Sequence, residues 1–290
     1  MLRKDFIKLS SLGFLGLYSC GIFNVNKRKN TLAIQLYTVR DAIAEDLEKT
    51  LEKLASLGFT GLEIYGYNGN FFGKKRNEFK EILKNTGFRV ISSHHTTGIQ
   101  HKEQGTLLQN WGKSVEDLHF IGSEYMVCSY LFPEERTIEN YKKLPDLFNK
   151  SGEITKNAGI QFAYHNHDFE FKKFDENQNV YDFILTHSSS DLVKMELDLY
   201  WIAKAGLDPI SYFEKYPGRF PLWHVKDMKP GSLDFTEIGN GTIDFERIFK
   251  AKEKAGLQHW FLEQDSSDKD MFESIRISRD FIAKHDFFLK

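Results

Sequence analysis

Residues 160–171 read IQFAYHNHDFEF, an apolar run that ends in two histidines one residue apart. Three later stretches have the same form: LVKMELDLYW (192–201), FPLWHVKD (220–227) and QHWFLEQD (258–265). Each opens as a short apolar run that reads as a buried strand, and each closes on His, Asp or Glu. They recur about every 30 residues, the length of one strand plus one helix in a parallel barrel. In such a barrel the strand ends converge on one mouth, which gathers these side chains into one place. Imidazole and carboxylate together suit a divalent metal.

The pattern continues towards the N-terminus. TLAIQLY (31–37), GLEIY (61–65), FRVISSHH (88–95) and EYMVCSY (124–130) read as the first four strands, and 160–166, 192–198, 220–225 and 258–264 as the last four. Helical spacing of apolar residues fills the gaps, over 41–57, 74–86, 103–121, 138–158, 180–187, 202–216, 245–255 and 270–284. Leu57-Gly58-Phe59, Ala158-Gly159-Ile160 and Ala255-Gly256-Leu257 repeat one signal, a helix C-cap that feeds a strand. Eight such units over residues 31–290 predict an α/β fold, a (β/α)8 TIM barrel in a single domain. No glycine-rich fingerprint follows a strand, which argues against a doubly wound nucleotide-binding sheet.

The 290 residues are 41% hydrophobic and 28% charged, with a formal net charge of −2. That balance offers no basic stripe and excludes nucleic acid as the expected partner. The 26 Phe and 12 Tyr are read chiefly as core filling, with some left to line a sugar-sized pocket. Two cysteines, Cys20 and Cys128, make no zinc knuckle or iron–sulfur site, and Cys128 is expected as a buried small hydrophobe.

Residues 1–20 read MLRKDFIKLSSLGFLGLYSC: a basic start, then about ten apolar residues, too few to span a bilayer. Arg3-Lys4-Asp5-Phe6-Ile7-Lys8 resembles a twin-arginine export signal with Lys at the second arginine. Leu17-Tyr18-Ser19-Cys20 resembles a bacterial lipobox, which implies lipidation of Cys20 and attachment to the membrane. The expectation is an export signal over 1–20, a polar tether over 21–30 and an exported bacterial protein, periplasmic or anchored as a lipoprotein.

From Thr31 to Lys290 the chain resembles the xylose isomerase-like TIM barrels, the group called sugar phosphate isomerases/epimerases. Leu197-Asp198-Leu199-Tyr200-Trp201 is similar to that family's sixth-strand motif, Trp223-His224-Val225 to its seventh and Phe261-Leu262-Glu263 to its eighth. Gly239-Asn240-Gly241-Thr242-Ile243-Asp244-Phe245 is similar to a loop that closes over substrate in the family. The resemblance implies a divalent metal (Mn, Mg, Co or Zn) held by Asp198, His224, Glu263 and a fifth-strand residue. The family's epimerases carry a glutamate there. This chain has Tyr164-His165-Asn166-His167, similar to the Tyr-His-x-His of inosose dehydratase-like members. His165 is the expected ligand, and His167 shares its face if the strand continues, so it serves as ligand or substrate contact. Glu196 and Asp198 share one face of their strand, and only the resemblance selects Asp198.

Lys226, His167 and Glu263 are the expected catalytic residues, and Gln35, Glu63, His95, Trp201 and Asn240 the expected substrate contacts, with His94 an alternative to His95. The substrate is expected to be a small carbohydrate. A metal beside a ketone and its neighbouring hydroxyl stabilises an enediolate, and a base at the mouth takes the proton. The expected function is that of a metal-dependent lyase, hydratase or isomerase of a keto-sugar, of 3-keto-glycoside type. The alternatives are an isomerase/epimerase of free or phosphorylated ketoses and a non-catalytic carbohydrate-binding barrel.

Overall fold

The strand cores close on themselves as an all-parallel barrel in the computed structural model, which describes residues 31–176 and 178–289. The expected export signal, the tether and Cys20 lie outside the described residues. The strands are β1 (Ala33–Gln35), β2 (Gly61–Ile64), β3 (Arg89–Thr96), β4 (Tyr125–Tyr130), β5 (Gln161–His165), β6 (Val193–Asp198), β7 (Leu222–Val225), β8 (Asp227–Met228), β9 (Phe235–Thr236) and β10 (His259–Leu262). Strands β1 to β7 pair in sequence and β10 closes the ring between β7 and β1. β8 and β9 form a separate antiparallel hairpin above β7 that the Gly-rich loop concealed in the sequence.

Helices pack outside each strand, and the glycine caps behave as the repeat implies: Gly58, Gly159 and Gly256 all have positive φ. Four expected helices are cut shorter, among them the one over 245–255, which is split into Phe245–Phe249 and Lys252–Ala255. The one over 41–57 breaks at Asp46, an extended residue whose carboxylate caps Lys49 N–H at 3.1 Å. The one over 202–216 becomes Leu199–Lys204 and Pro209–Lys215, and the latter starts at a proline with Asp208 as its cap. The one over 103–121 begins only at Trp111. Leu107 and Leu108 give their N–H groups to the carbonyls of Thr96 and Thr97 instead, and Asn110 is left-handed, so 103–110 runs as a loop over the barrel mouth.

The barrel interior is layered. Ala33, Ile91, Val127, Ala163, Leu222 and Phe261 form a small apolar plug. Two residues further along their strands come Gln35, Ser129, His165, His224 and Glu263, because side chains on one face of a strand repeat every second residue. On β3 a register shift against β2 intervenes, so that His94, three residues after Ile91, faces the same interior. The plug therefore fixes the floor on which the polar groups stand. Cys128 is buried on β4, as expected.

Candidate active site

The strands deliver two stacked rings of polar side chains to the barrel axis. The upper set is His165, Asp198, His224 and Glu263. The lower is Glu63, His94, Glu196 and His224. Within each set one potential ligand atom per residue lies within 4.8 Å of all the others. Glu196 and Asp198, which periodicity could not separate, both face inwards and supply one layer each. Of the two histidines that end β3, His94 reaches the axis, whereas His95 packs edge-on against Trp111 and bonds the Gly105 carbonyl through Nδ1 at 2.7 Å.

The upper set fits a divalent cation. The His165 Nδ1–H donates to the Ser129 carbonyl at 3.2 Å, which leaves the Nε2 lone pair towards Asp198 Oδ2 at 3.3 Å. The His224 Nε2–H donates to Glu63 Oε2 at 2.5 Å, which turns Nδ1 towards Glu263. Ligand histidines are commonly oriented by such a bond on the other ring nitrogen. His224 Nδ1 and Glu263 Oε2 approach to 2.5 Å; Nδ1 is buried without a hydrogen-bond partner, and Oε2 also meets the Lys226 ammonium at 2.6 Å. A buried imidazole nitrogen without a hydrogen-bond partner, turned towards the carboxylates of Glu263 and Asp198, is what a cation would complete.

Lys226 extends the strand of His224 and is 3% exposed. Its ammonium lies 2.6 Å from Glu263, 3.1 Å from Asp198 and 3.2 Å from Asp265. Burial works against its charge, but these carboxylates outweigh burial and hold it well above the usual lysine range. Burial pushes the Asp265 carboxyl up to about 6 against the pull of Lys226, with Glu263 and Asp198 adding to the rise. His94 sits between Glu63 at 3.1 Å and Glu196 at 2.7 Å. Burial opposes its charge, and the two glutamates nonetheless raise it to about 9. His167 lies past the end of β5, its ring 5.0 Å from that of His165 and stacked on Phe169. Burial, then the nearby His165 and Lys226, keep it well below the usual histidine range, so it is neutral.

Above the rings a cavity of about 1030 Å³ opens to solvent, walled by Tyr37, Tyr65, Tyr130, Phe169, Trp201 and Phe235 among others. His95, His165, His167, Lys226, Glu263 and Asp265 also line it. Three expected substrate contacts stand elsewhere. Gln35 and Glu63 are fully buried beneath the cavity, where Gln35 Nε2 donates to Glu63 Oε2 at 2.8 Å and Glu63 steadies His224. Asn240 is exposed and donates to Glu237 at 3.1 Å, away from the cavity. Its loop is held from below by Asp227, whose carboxylate accepts N–H groups of Met228, Gly239, Gly241 and Ile243 at 2.8–3.2 Å. A Cβ on Gly241 would lie 2.1 Å from Asp227 Oδ1, which accounts for the glycine in the motif.

The sequence reading missed Asp265, although it closes the quoted eighth-strand stretch two residues after Glu263. Periodicity offered that signal, since both residues fall on one face. It also missed the Ser129 carbonyl, for which no side-chain signal exists.

Comparison with known proteins agrees with this architecture. The profile of the family described as Xylose isomerase-like TIM barrel matches residues 51–285. The chain is similar to an inosose dehydratase of Clostridium beijerinckii, 24% identical over 275 residues, covering 82% of this chain and 89% of the relative. Among solved structures it is similar to a sugar phosphate isomerase/epimerase from Parabacteroides distasonis, with 29% identity, a TM-score of 0.78 and coverage of 90% of this chain and 96% of that one. A zinc-bound IolI protein shares the fold at 15% identity and a TM-score of 0.66, over 88% of this chain and 97% of its own.

Proposed function

The chain belongs to the xylose isomerase-like TIM barrel family, and we propose that it is a metal-dependent enzyme that eliminates from, or hydrates, an unphosphorylated keto-sugar. The relatives named inosose dehydratase support sugar chemistry with loss of water. The observation that carries the reading is the convergence of His165, Asp198, His224 and Glu263 under a cavity that also presents Lys226 and a neutral His167. Those four residues would hold the cation, which supplies Lewis acidity to a ketone and its neighbouring hydroxyl.

The residues around that set account for the rest of the chemistry. His167, neutral and on the cavity wall, accepts the proton from the carbon next to the ketone. Lys226, fixed as an ammonium by Asp198 and Glu263, directs N–H bonds at the oxygen that gains charge. Departure of the β-substituent takes the electron pair of the broken bond, and the leaving oxygen takes a proton from a cavity acid. Asp265, raised to about 6 and in contact with Lys226, is placed to provide it. Trp201 presents its ring to the cavity beside His167, a face on which a sugar ring can stack. The imidazole on β5 replaces a carboxylate that epimerases of the family use as acid/base. This removes one of the two groups that inversion at a single carbon requires.

Export, expected from residues 1–20, would put the enzyme outside the cytoplasm, where sugar phosphates are scarce, and so favours an unphosphorylated substrate. Incubation with a 3-keto-glucoside and with fructose or tagatose in deuterium oxide, followed by NMR, tests the assignment. Elimination or hydration of the keto-glucoside, faster than any change in the free ketose, is the expected result. Rapid C3 epimerisation of the ketose without elimination would assign the protein to the epimerases instead.

A further inference from the structure

The reacting groups occupy only part of the cavity above the barrel. The wall beyond them is built from the end of β4 and from the segments that follow β3 and β4. We propose that Tyr130, Phe132, His101 and Arg136 form a subsite for a second sugar ring, so that the substrate is a keto-glycoside of two linked rings, a proposal that rests on the keto-sugar reading above.

Three observations carry this. First, the cavity is larger than a single sugar ring needs. Its volume of about 1030 Å³ lies at the top of the range of roughly 300–1,000 Å³ that encloses drug-sized ligands. Second, the aromatic wall runs past the base instead of ending at it. Trp201, the platform for the reacting ring, lies 5.2 Å from His167, His167 5.0 Å from Tyr130, Tyr130 5.3 Å from Phe132 and Phe132 4.2 Å from His101, ring centre to ring centre. All five line the cavity, and Tyr130 and Phe132 are half-buried, so part of their ring surface is open to a ligand. A reacting ring on Trp201 leaves Tyr130 and Phe132, on the far side of His167, uncovered. Third, Arg136 is held as a donor with N–H groups to spare. Its guanidinium lies over the Phe169 ring, 3.6 Å from the centre, while Nε donates to the Leu131 carbonyl at 3.0 Å and a terminal nitrogen donates to the Tyr130 hydroxyl at 2.7 Å. A guanidinium has further N–H groups beyond these, and among the described residues the partners of Arg136 include no carboxylate.

The subsite is fixed in advance. Glu135, 1% exposed, accepts from the Thr97 hydroxyl at 2.7 Å and the Gln100 N–H at 3.0 Å through one oxygen, and from the Phe132 N–H at 3.1 Å through the other. That carboxylate ties the turn before His101 to the segment that carries Phe132 and Arg136. Walls ordered before the ligand arrives lose less entropy on binding it. The mixture of groups selects the ligand. Aromatic rings pack against the C–H face of a pyranose, and the spare N–H groups of Arg136 make charge-assisted bonds to the hydroxyl oxygens around its rim. An apolar aglycone would strip water from those N–H groups and return no acceptor.

The test compares three substrates on Mn²⁺-loaded protein: methyl 3-keto-β-glucoside, cellobiose oxidised at C3 of its non-reducing ring, and phenyl 3-keto-β-glucoside. The oxidised cellobiose is expected to exceed the methyl glucoside in kcat/KM by roughly tenfold or more, chiefly through KM, with the phenyl glucoside between them. In Phe132→Ala and in Arg136→Gln the ratio of kcat/KM for oxidised cellobiose to that for the methyl glucoside is expected to fall towards one. Equal values for these two substrates in the wild type, or an unchanged ratio in either variant, would overturn the subsite and leave the keto-sugar reading standing. A phenyl glucoside that outruns the oxidised cellobiose would overturn the assignment of the subsite to a sugar. No turnover of any of the three would overturn both the subsite and the reading beneath it. Should either variant fail to fold by circular dichroism, the wild-type comparison decides.

Discussion

Replacing Lys226 by Met separates three quantities that a merely structural lysine would move together. In the wild type the ammonium is 3% exposed and touches Asp198, Glu263 and Asp265 at 2.6–3.2 Å. Met preserves the length of the side chain but leaves three carboxylates without their cation. Breaking a buried ionic set in this way costs about 3–5 kcal/mol. For a domain of this size that lowers the melting temperature of metal-free protein by roughly 5–15 °C. Metal affinity moves the other way. Asp198 and Glu263 are expected ligands, so a divalent cation would share them with the ammonium. Charges of +2 and +1 about 5 Å apart repel by roughly 7 kcal/mol at an effective dielectric near 20. Lys226 relieves part of this by leaning on Asp265, and a tenfold or greater gain in affinity remains the expected outcome. Turnover is lost, because the donor to the developing oxyanion is gone. Calorimetric melting with and without Mn²⁺, titration calorimetry and a rate measurement follow all three. An unchanged melting temperature without metal, or metal affinity that stays the same or falls, would refute the reasoning.

Other consequences are simpler to read. His94 is raised to about 9 in the folded chain against 6.5 for a free ring, so its contribution to metal-free stability is complete below pH 6.5 and is lost as pH rises through 9. The loss amounts to about 3 kcal/mol, and denaturant midpoints of the stripped protein at pH 6, 8 and 10 should fall accordingly, with a flatter profile for His94→Asn. Gly241→Ala places a Cβ 2.1 Å from Asp227 Oδ1 and should unseat the 239–243 loop at a cost of about 1–3 kcal/mol, measurable by urea denaturation. Export and lipidation at Cys20 predict a membrane-associated mature protein that begins at that residue; full-length, unmodified protein in the cytoplasmic fraction would exclude it.

The barrel was legible because its signals are repetitive and local. Apolar strands, glycine caps and a regular strand–helix period are each set by backbone geometry and burial, and they agree along the whole chain. The upper ring was legible for a related reason: His165, Asp198, His224 and Glu263 each end or directly follow an apolar strand, and alternation sends them to the axis with the plug residues beneath them. What escaped depends on contacts between distant segments. The loop over 103–110 has helical spacing, but Thr96 and Thr97 compete for its N–H groups. Glu63 and Gln35 end strands just as the ligands do, and only the packed structure shows that they stop one layer short of the cavity. Asn240 belongs to a motif whose glycine serves Asp227, a tie between residues far apart in the chain. His94 and Glu196 gained meaning only as a set, since neither has a neighbour in sequence that points to the other.

The central claim, that a divalent cation held by His165, Asp198, His224 and Glu263 drives proton abstraction next to a ketone, has a direct measurement. A 3-keto-glucoside is incubated in deuterium oxide with stripped protein, with protein reloaded with Mn²⁺ and with reloaded Glu263→Gln, and exchange at the carbon beside the ketone is followed by proton NMR. The account predicts exchange only with the reloaded wild type, restored in proportion to the metal bound. Exchange at the same rate by stripped protein, or by Glu263→Gln, would contradict it.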